Sequence, residues 1–149
     1  MTLYPIVNRQ QILLWWERQA GVTSEALANF TNGVKDGTAI AAANNYAVSA
    51  GKILRIMAIN VTIRGTAATV FNSRVRIRQA TSVAANSPII WAAEVGAPST
   101  TFAAEECYSI CYEIADGLHV VAGQQVAMTH LESSATGTVS VAIIGFEYS

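Results

Sequence analysis

The sequence predicts an all-β protein, namely a single antiparallel β-sandwich of jelly-roll type preceded by an N-terminal arm. After residue 50, segments of alternating apolar and polar residues follow one another, as in strands with one buried face. Clusters of Gly, Pro, Asp and Ser separate these segments at the spacing expected in a sandwich or barrel. The same region shows no sustained 3.6-residue period, so we expect no helix there.

The first long strand is predicted in GKILRIMAINVTIRG, residues 51–65. Its odd positions are apolar apart from Arg55 and should form the buried face; they are Ile53, Met57, Ile59, Val61 and Ile63. Later strands are expected in SPIIWAAEVG, ECYSICYEIADG, GQQVAMTHLES and GTVSVAIIGFEYS. With short strands such as LHVV at the edges, this gives six or seven main strands.

A row of arginines is predicted on the outer face of the strand in TVFNSRVRIRQA, residues 69–80. Val75 and Ile77 should face the core, while Arg74, Arg76 and Arg78 point outward. Three interpretations stay open: a solvated face, ion pairs with acidic residues of an adjoining subunit, or a phosphate grip.

The chain before residue 51 lacks this regular pattern. Residues 20–50 are rich in Ala, Asn, Gly, Ser and Thr, with a possible short helix at TSEALANF and one strand near residues 38–43. We therefore divide the chain into residues 1–37, an arm with an irregular connecting segment, and residues 38–149, the sandwich.

The arm contains YPIVNRQQILLWWERQ, residues 4–19, in which an amphipathic helix of about two turns is possible. It could fold back and cap the sandwich with its paired tryptophans, or dock on a neighbouring subunit or another protein. We favour docking, because exposed paired tryptophans are costly unless a partner covers them. The candidate partner-binding residues are Leu3, Tyr4, Ile6, Ile12, Trp15 and Trp16, with Arg74, Arg76 and Arg78 as weaker candidates.

Composition limits the classes of partner. Only 13% of the residues are charged and the formal net charge is −1, so we expect no nucleic-acid binding. No apolar run approaches the ~20 residues of a membrane-spanning helix, and the first residues do not form a signal peptide. We expect a soluble protein made in the cytosol, with a charge-poor surface suited to burial against partners.

No catalytic or metal-binding pattern is found. His119 and His130 lack His or Cys partners at metal-ligand spacing, so we expect surface or satisfied strand histidines. Glu105 and Glu106 are adjacent and would face opposite sides of a strand, while Glu94, Glu113 and Glu132 are isolated. We therefore predict no enzymatic activity, no cofactor and no metal site.

Two cysteines, Cys107 and Cys111, lie four residues apart in CYSIC. On one strand they would stand about 13 Å apart, too far for a mutual disulfide. We expect two small buried hydrophobic residues; an intermolecular disulfide or a metal site is the alternative.

The series GKILRIMAINVTIRGTAATV, RVRIRQA, SPIIWAAEVG, DGLHVVAGQQVAMTHLES and GTVSVAIIGFEYS resembles the small jelly-roll capsid decoration proteins, or cement proteins, of tailed bacteriophages. The resemblance covers residues 50–149 and carries no diagnostic residue set. It implies a homotrimer on the outside of a phage head that ties adjacent major capsid subunits together. The protein would then be synthesised in the host cytoplasm and end in the virion.

Two other classes stay open. A phage tail, baseplate or fibre-tip module could use the same trimeric sandwich, with the arm docked on a tail protein. A carbohydrate-binding jelly roll would stack sugar on exposed aromatic residues such as Trp91, Tyr108 or Tyr112, although we expect Trp91 to belong to the core.

Overall fold

The computed structural model describes residues 10–30, 32–40, 46–65, 71–96 and 107–149, with the side chains of residues 15–19 and 29 left undescribed. Within these ranges the chain forms eleven strands and no helix. They are β1 (Gln10–Ala20), β2 (Ala26–Asn29), β3 (Asn32–Lys35), β4 (Thr38–Ala39), β5 (Tyr46–Ala47), β6 (Ile53–Gly65), β7 (Asn72–Ala80), β8 (Ile89–Gly96), β9 (Cys107–Val121), β10 (Gln125–Glu132) and β11 (Gly137–Tyr148).

The strands form two sheets that enclose one core. The six-stranded sheet has the order β4-β3-β1-β11-β6-β9; the five-stranded sheet has the order β2-β10-β7-β8, with β5 also paired to β10. Every described pairing is antiparallel, and from β8 onward each successive strand lies in the opposite sheet. The prediction of an all-β, antiparallel, jelly-roll-like sandwich is confirmed.

The buried positions agree with the predicted alternation in β7, in β11 and in the second half of β6. Val75 and Ile77 of β7 are fully buried, as are Val139 and Ile143 of β11. In β6 the prediction holds only for the second half, where Ile59, Val61 and Ile63 are fully buried.

The first half of β6 is displaced by a register shift between Ile56 and Ala58, where the strand pairs with β9. A β-bulge of this kind moves the following side chains to the other face. Leu54 and Ile56 are therefore fully buried, whereas Ile53 and Met57 are only half-buried. The predicted face was wrong for this half of the strand.

The segment in which a short helix was considered is strand β1 instead. It pairs with β11 along its length and with β3 over four residues, which fixes an extended backbone on both sides. Ile12 and Leu14 are fully buried in the core. A helix of two turns is marginal alone, and two ladders of sheet hydrogen bonds outweigh its local propensity.

The second possible helix, at TSEALANF, is also wrong, because Ala26–Asn29 pairs with β10 as strand β2. The strand expected near residues 38–43 is described only as Thr38–Ala39, and residues 41–43 lie outside the described ranges. Residues 10–37, which we expected to be arm and connecting segment, contribute β1, β2 and β3 to the two sheets.

Candidate functional surfaces

The arginine row of β7 converges on a carboxylate of the same chain. Arg78 Nη2 lies 2.5 Å and Arg76 Nη1 2.8 Å from the Glu25 carboxylate, while Arg74 Nη2 is farther away at 3.4 Å. Thr129 Oγ1 donates a further hydrogen bond to Glu25 Oε1 at 2.6 Å. The side chain of Arg78 is almost fully buried, and those of Arg74 and Arg76 are about a quarter to a third exposed.

This environment changes the ionisation of Glu25. Burial by itself would raise its pKa, but hydrogen bonds from Thr129, Arg78 and Arg76 outweigh burial and lower the pKa from 4.5 to about 2. Glu25 is therefore ionised at neutral pH. Three guanidinium groups face this one carboxylate, and Glu94 of β8 is the cross-strand neighbour of Arg74.

A second polar cluster is buried on the core-facing side of the same sheet. Glu132 accepts hydrogen bonds from the backbone N–H of Val22 at 2.7 Å and from Ser73 Oγ at 2.8 Å. His130 Nδ1 lies 2.9 Å from the same carboxylate. His130 is buried and satisfied, and His119 is exposed, so the expectation for both histidines is confirmed.

The outer face of the six-stranded sheet carries an apolar row that crosses five strands. Strand register aligns these residues side by side, in the order Ala39, Val34, Leu13, Ile144 and Ala58. Leu13 is 37% exposed and Ile144 is 39% exposed, although both belong to central strands. We call this set the outer apolar row.

An aromatic cluster adjoins the row at one end of the sheet. Phe146 and Tyr148 have ring centroids 5.8 Å apart, and His119 meets Tyr148 edge-on at 6.5 Å. Sequence reasoning missed this cluster. The sequence did contain a signal for it: the outward positions of the last strand change from Thr138 and Ser140 to Ile144, Phe146 and Tyr148 toward its end.

The predicted partner-binding residues are distributed unevenly. Leu3, Tyr4 and Ile6 lie outside the described residues. Ile12 is fully buried and faces the core of its own chain. The backbones of Trp15 and Trp16 lie in β1 opposite Ala142 and Val141, and their side chains are among those left undescribed.

The aromatic residues considered for sugar stacking pack on the core side of the two edge strands β8 and β9. Trp91 and Tyr112 meet edge-on with centroids 5.1 Å apart, and both are half-buried against the core, as is Tyr108. The expectation that Trp91 belongs to the core is supported. The rings of Trp91 and Tyr112 are engaged with each other, so these two do not present flat faces side by side.

The cysteines depart from expectation. Cys107 and Cys111 are exposed on the outer face of β9 and are not joined in a disulfide, so the prediction of two buried hydrophobic residues was wrong. The alternation of β9 places Tyr108, Ile110 and Tyr112 toward the core, and this leaves the cysteine positions outside.

Neither a metal site nor a membrane span emerges from the described ranges. No group of three or more His, Cys, Asp or Glu side chains is placed there to hold a metal ion. Likewise, no helix among the described residues is long and apolar enough to cross a bilayer.

Comparison with known proteins identifies no family. No family model matches the chain, and no curated protein is significantly similar to it. Among solved structures, a chain of Broad Bean Stain Virus is similar with 11% identity and a TM-score of 0.43, over 97% of this chain and 87% of that one. The TNF protein Eiger from S. frugiperda is similar with 10% identity and a TM-score of 0.43, over 92% of this chain and 91% of that one. At these TM-scores neither similarity identifies a function for this chain.

Proposed function

We propose that this chain is a structural virion protein, a homotrimeric decoration protein that binds the outside of a phage head and clamps adjacent major capsid subunits. The sequence resemblance supports this class. The observation that carries the proposal is the outer apolar row, with the aromatic cluster beside it, on an open sheet face. Contiguous apolar surface of this kind on a folded domain is typical of a face that a partner covers.

The chemistry of the face fits a stable lattice contact. Of its residues, Leu13 and Ile144 are each more than a third exposed, and Phe146 and Tyr148 are half-buried. Their burial would stabilise a complex by roughly 25 cal/mol for each Å² of apolar surface removed from water. Such a contact depends little on ionic strength, unlike one made by surface ion pairs.

A clamp of this type acts by mass action. A protein that binds only the mature lattice stabilises it by roughly RT ln(1 + [L]/Kd) for each site. A trimer that engages several capsid subunits at once gains further from effective concentration. The remaining arm candidates, Leu3, Tyr4, Ile6, Trp15 and Trp16, are proposed to add contacts with a neighbouring subunit.

The arginines are weaker candidates for partner contact. Arg76 and Arg78 are held by Glu25 at 2.8 and 2.5 Å, so an acidic partner would have to share them. Arg74 is held more loosely, at 3.4 Å, and about a third of its side chain is exposed. Of the three, Arg74 is the one best placed to accept an additional carboxylate.

The test is co-sedimentation with expanded, accessory-free heads of the phage that encodes the chain. Leu13→Thr and Ile144→Thr should reduce head binding at least tenfold while the protein stays folded and trimeric by light scattering. The matched control is Leu27→Thr, since Leu27 is also 37% exposed but lies in β2 of the other sheet.

Each result has a distinct meaning. Equal loss of binding for all three variants, or no loss for the two outer-face variants, would overturn the assignment of this face. A folded wild-type protein that never binds heads but binds isolated tails would replace the capsid role by a tail-module role.

A further inference from the structure

Strand β9 is an edge strand whose irregularity begins only after Glu113, which leaves its first half with little protection. Among the described residues it pairs only with β6, at the end of the six-stranded sheet. Its regular part, Cys107–Glu113, contains no Lys or Pro and one charged residue, Glu113. Natural sheets block such edges with lysine, proline, bulges or short strands, because unpaired backbone groups otherwise recruit another strand.

The core side of this strand is incompletely covered. Tyr108, Ile110 and Tyr112 face the core but remain half-buried. Their neighbours on β6, Ile59, Val61 and Ile63, are fully buried. A strand added beside β9 would pair edge groups for which the described residues supply no strand partner, and it would also cover these apolar side chains.

The regular part of β9 is self-complementary about its midpoint, Ile110. An antiparallel copy centred there places Ile110 opposite Ile110 of the second copy, and Tyr108 opposite Tyr112 on both sides. Aromatic and β-branched cross-strand pairs stabilise antiparallel ladders. Glu113 then lies opposite Cys107, so no like charges meet.

We propose that β9 pairs antiparallel with β9 of a second copy of this chain about a two-fold axis at Ile110. The contact is isologous, and it joins the two six-stranded sheets into one continuous sheet. It is independent of head binding. In a trimeric protein it would link two trimers, each subunit contributing the same strand.

The register can be measured by disulfide trapping, because outward side chains at positions 107, 109, 111 and 113 are all exposed. Residues directly opposite in an antiparallel pair have Cα atoms about 4.5–5.5 Å apart, within the range of a disulfide. A two-fold at Ile110 places position 109 opposite Cys111 of the second copy. Diagonal neighbours lie about 7–8 Å apart, outside that range.

Three variants then separate the registers in the full-length protein. The first is Cys107→Ser with Ser109→Cys, which has thiols at positions 109 and 111 and can form the 109–111 disulfide. The second is Cys107→Ser alone, which offers only Cys111. The third is Cys107→Ser, Cys111→Ser and Ser109→Cys, in which the only thiol of the strand is at position 109. Incubation with oxidised glutathione joins two protein thiols into one disulfide and releases two molecules of reduced glutathione.

We expect the first variant to form a covalent dimer at least tenfold faster than the other two, as measured on non-reducing gels. Peptide mapping should then show a disulfide between positions 109 and 111. The preference should vanish in urea sufficient to unfold the chain. Faster trapping of the second variant would place the axis at Cys111, and faster trapping of the third at Ser109. Either result, or equally slow trapping of all three, would overturn the proposed pairing.

Discussion

Replacing Glu25 with Gln should destabilise the protein in a way that depends on pH. The carboxylate of Glu25 lies between Arg76 and Arg78, at 2.8 and 2.5 Å, and accepts a hydrogen bond from Thr129 at 2.6 Å. Glutamine keeps the shape of the side chain but removes the negative charge. Arg78, which is almost fully buried, would then lose its counter-charge.

The magnitude follows from the pKa of Glu25, which falls from 4.5 to about 2 on folding. At ~1.4 kcal/mol for each tenfold change in proton affinity, this corresponds to an upper limit of about 3 kcal/mol. Because the side chain is 24% exposed and solvent screens its ion pairs, we expect about 1–2 kcal/mol at neutral pH. A lowered pKa contributes stability above pH 4.5, and this contribution is lost as the pH falls from 4.5 toward 2.

The assay is urea denaturation of the wild type and Glu25→Gln at several pH values between 7 and 2. The difference in free energy of unfolding should be constant above about pH 5 and should shrink toward pH 2. Asp116→Asn serves as a control, since Asp116 is exposed on β9 and lies outside the cluster. A difference that is absent at pH 7, or that persists unchanged at pH 2, would refute the reasoning.

Two further substitutions test a buried ion pair and a close contact between two backbones. Glu147→Ala should lower the free energy of unfolding by about 3 kcal/mol in urea titrations, because this fully buried carboxylate binds Lys35 Nζ at 2.5 Å and the hydroxyl of Tyr46; an unchanged midpoint would contradict it. Gly145→Ala should cost at least about 2 kcal/mol in the same assay, because the added methyl group would overlap the backbone carbonyl of Arg55. Ala142→Ser, outward on the same strand, should change the stability by less than about 0.5 kcal/mol, and equal effects of the two would argue against the clash.

The alternation of apolar residues was sufficient to predict the sandwich. In β7 and β11 the side-chain period of two identified the buried positions, because both strands lie inside a sheet with one face on the core. It failed at the start of β6, where one extra residue near Met57, relative to β11, reverses the faces. Arg55 was the one break in the apolar pattern there, but a single polar residue does not locate a bulge.

The arginine row shows a different limit. Its outward direction was predicted from alternation, but its partner, Glu25, lies 49 to 53 residues earlier in the chain. A pairing over that separation is created by the fold and has no local signature. Strand β1 was missed for the same reason, since its extended form depends on β11, which lies at the other end of the chain.

The chain between residues 20 and 50 contains too few large apolar residues to indicate strands, and three glutamates help its buried Phe30 and Tyr46 to hold it in place. Glu132 accepts the backbone N–H of Val22 at 2.7 Å, and Glu147 accepts that of Ser49 at 3.0 Å. Glu25 belongs to the segment and is fixed by the arginines of β7. Glu147 is ionised at neutral pH as well, because hydrogen bonds from Lys35, Tyr46 and Ser49 outweigh the effect of burial and lower its pKa.

Fixing a segment through buried carboxylates has a structural consequence. Apolar contacts tolerate small shifts in register, whereas a carboxylate with both oxygens engaged accepts its donors at one position only. The short strands β2, β3 and β5 therefore occupy defined places beside β10 and β1 with only a few buried apolar side chains, such as Ala28 and Tyr46. The long strands of the sandwich depend mainly on apolar burial, whereas this segment combines a few buried apolar side chains with hydrogen bonds to Glu25, Glu132 and Glu147.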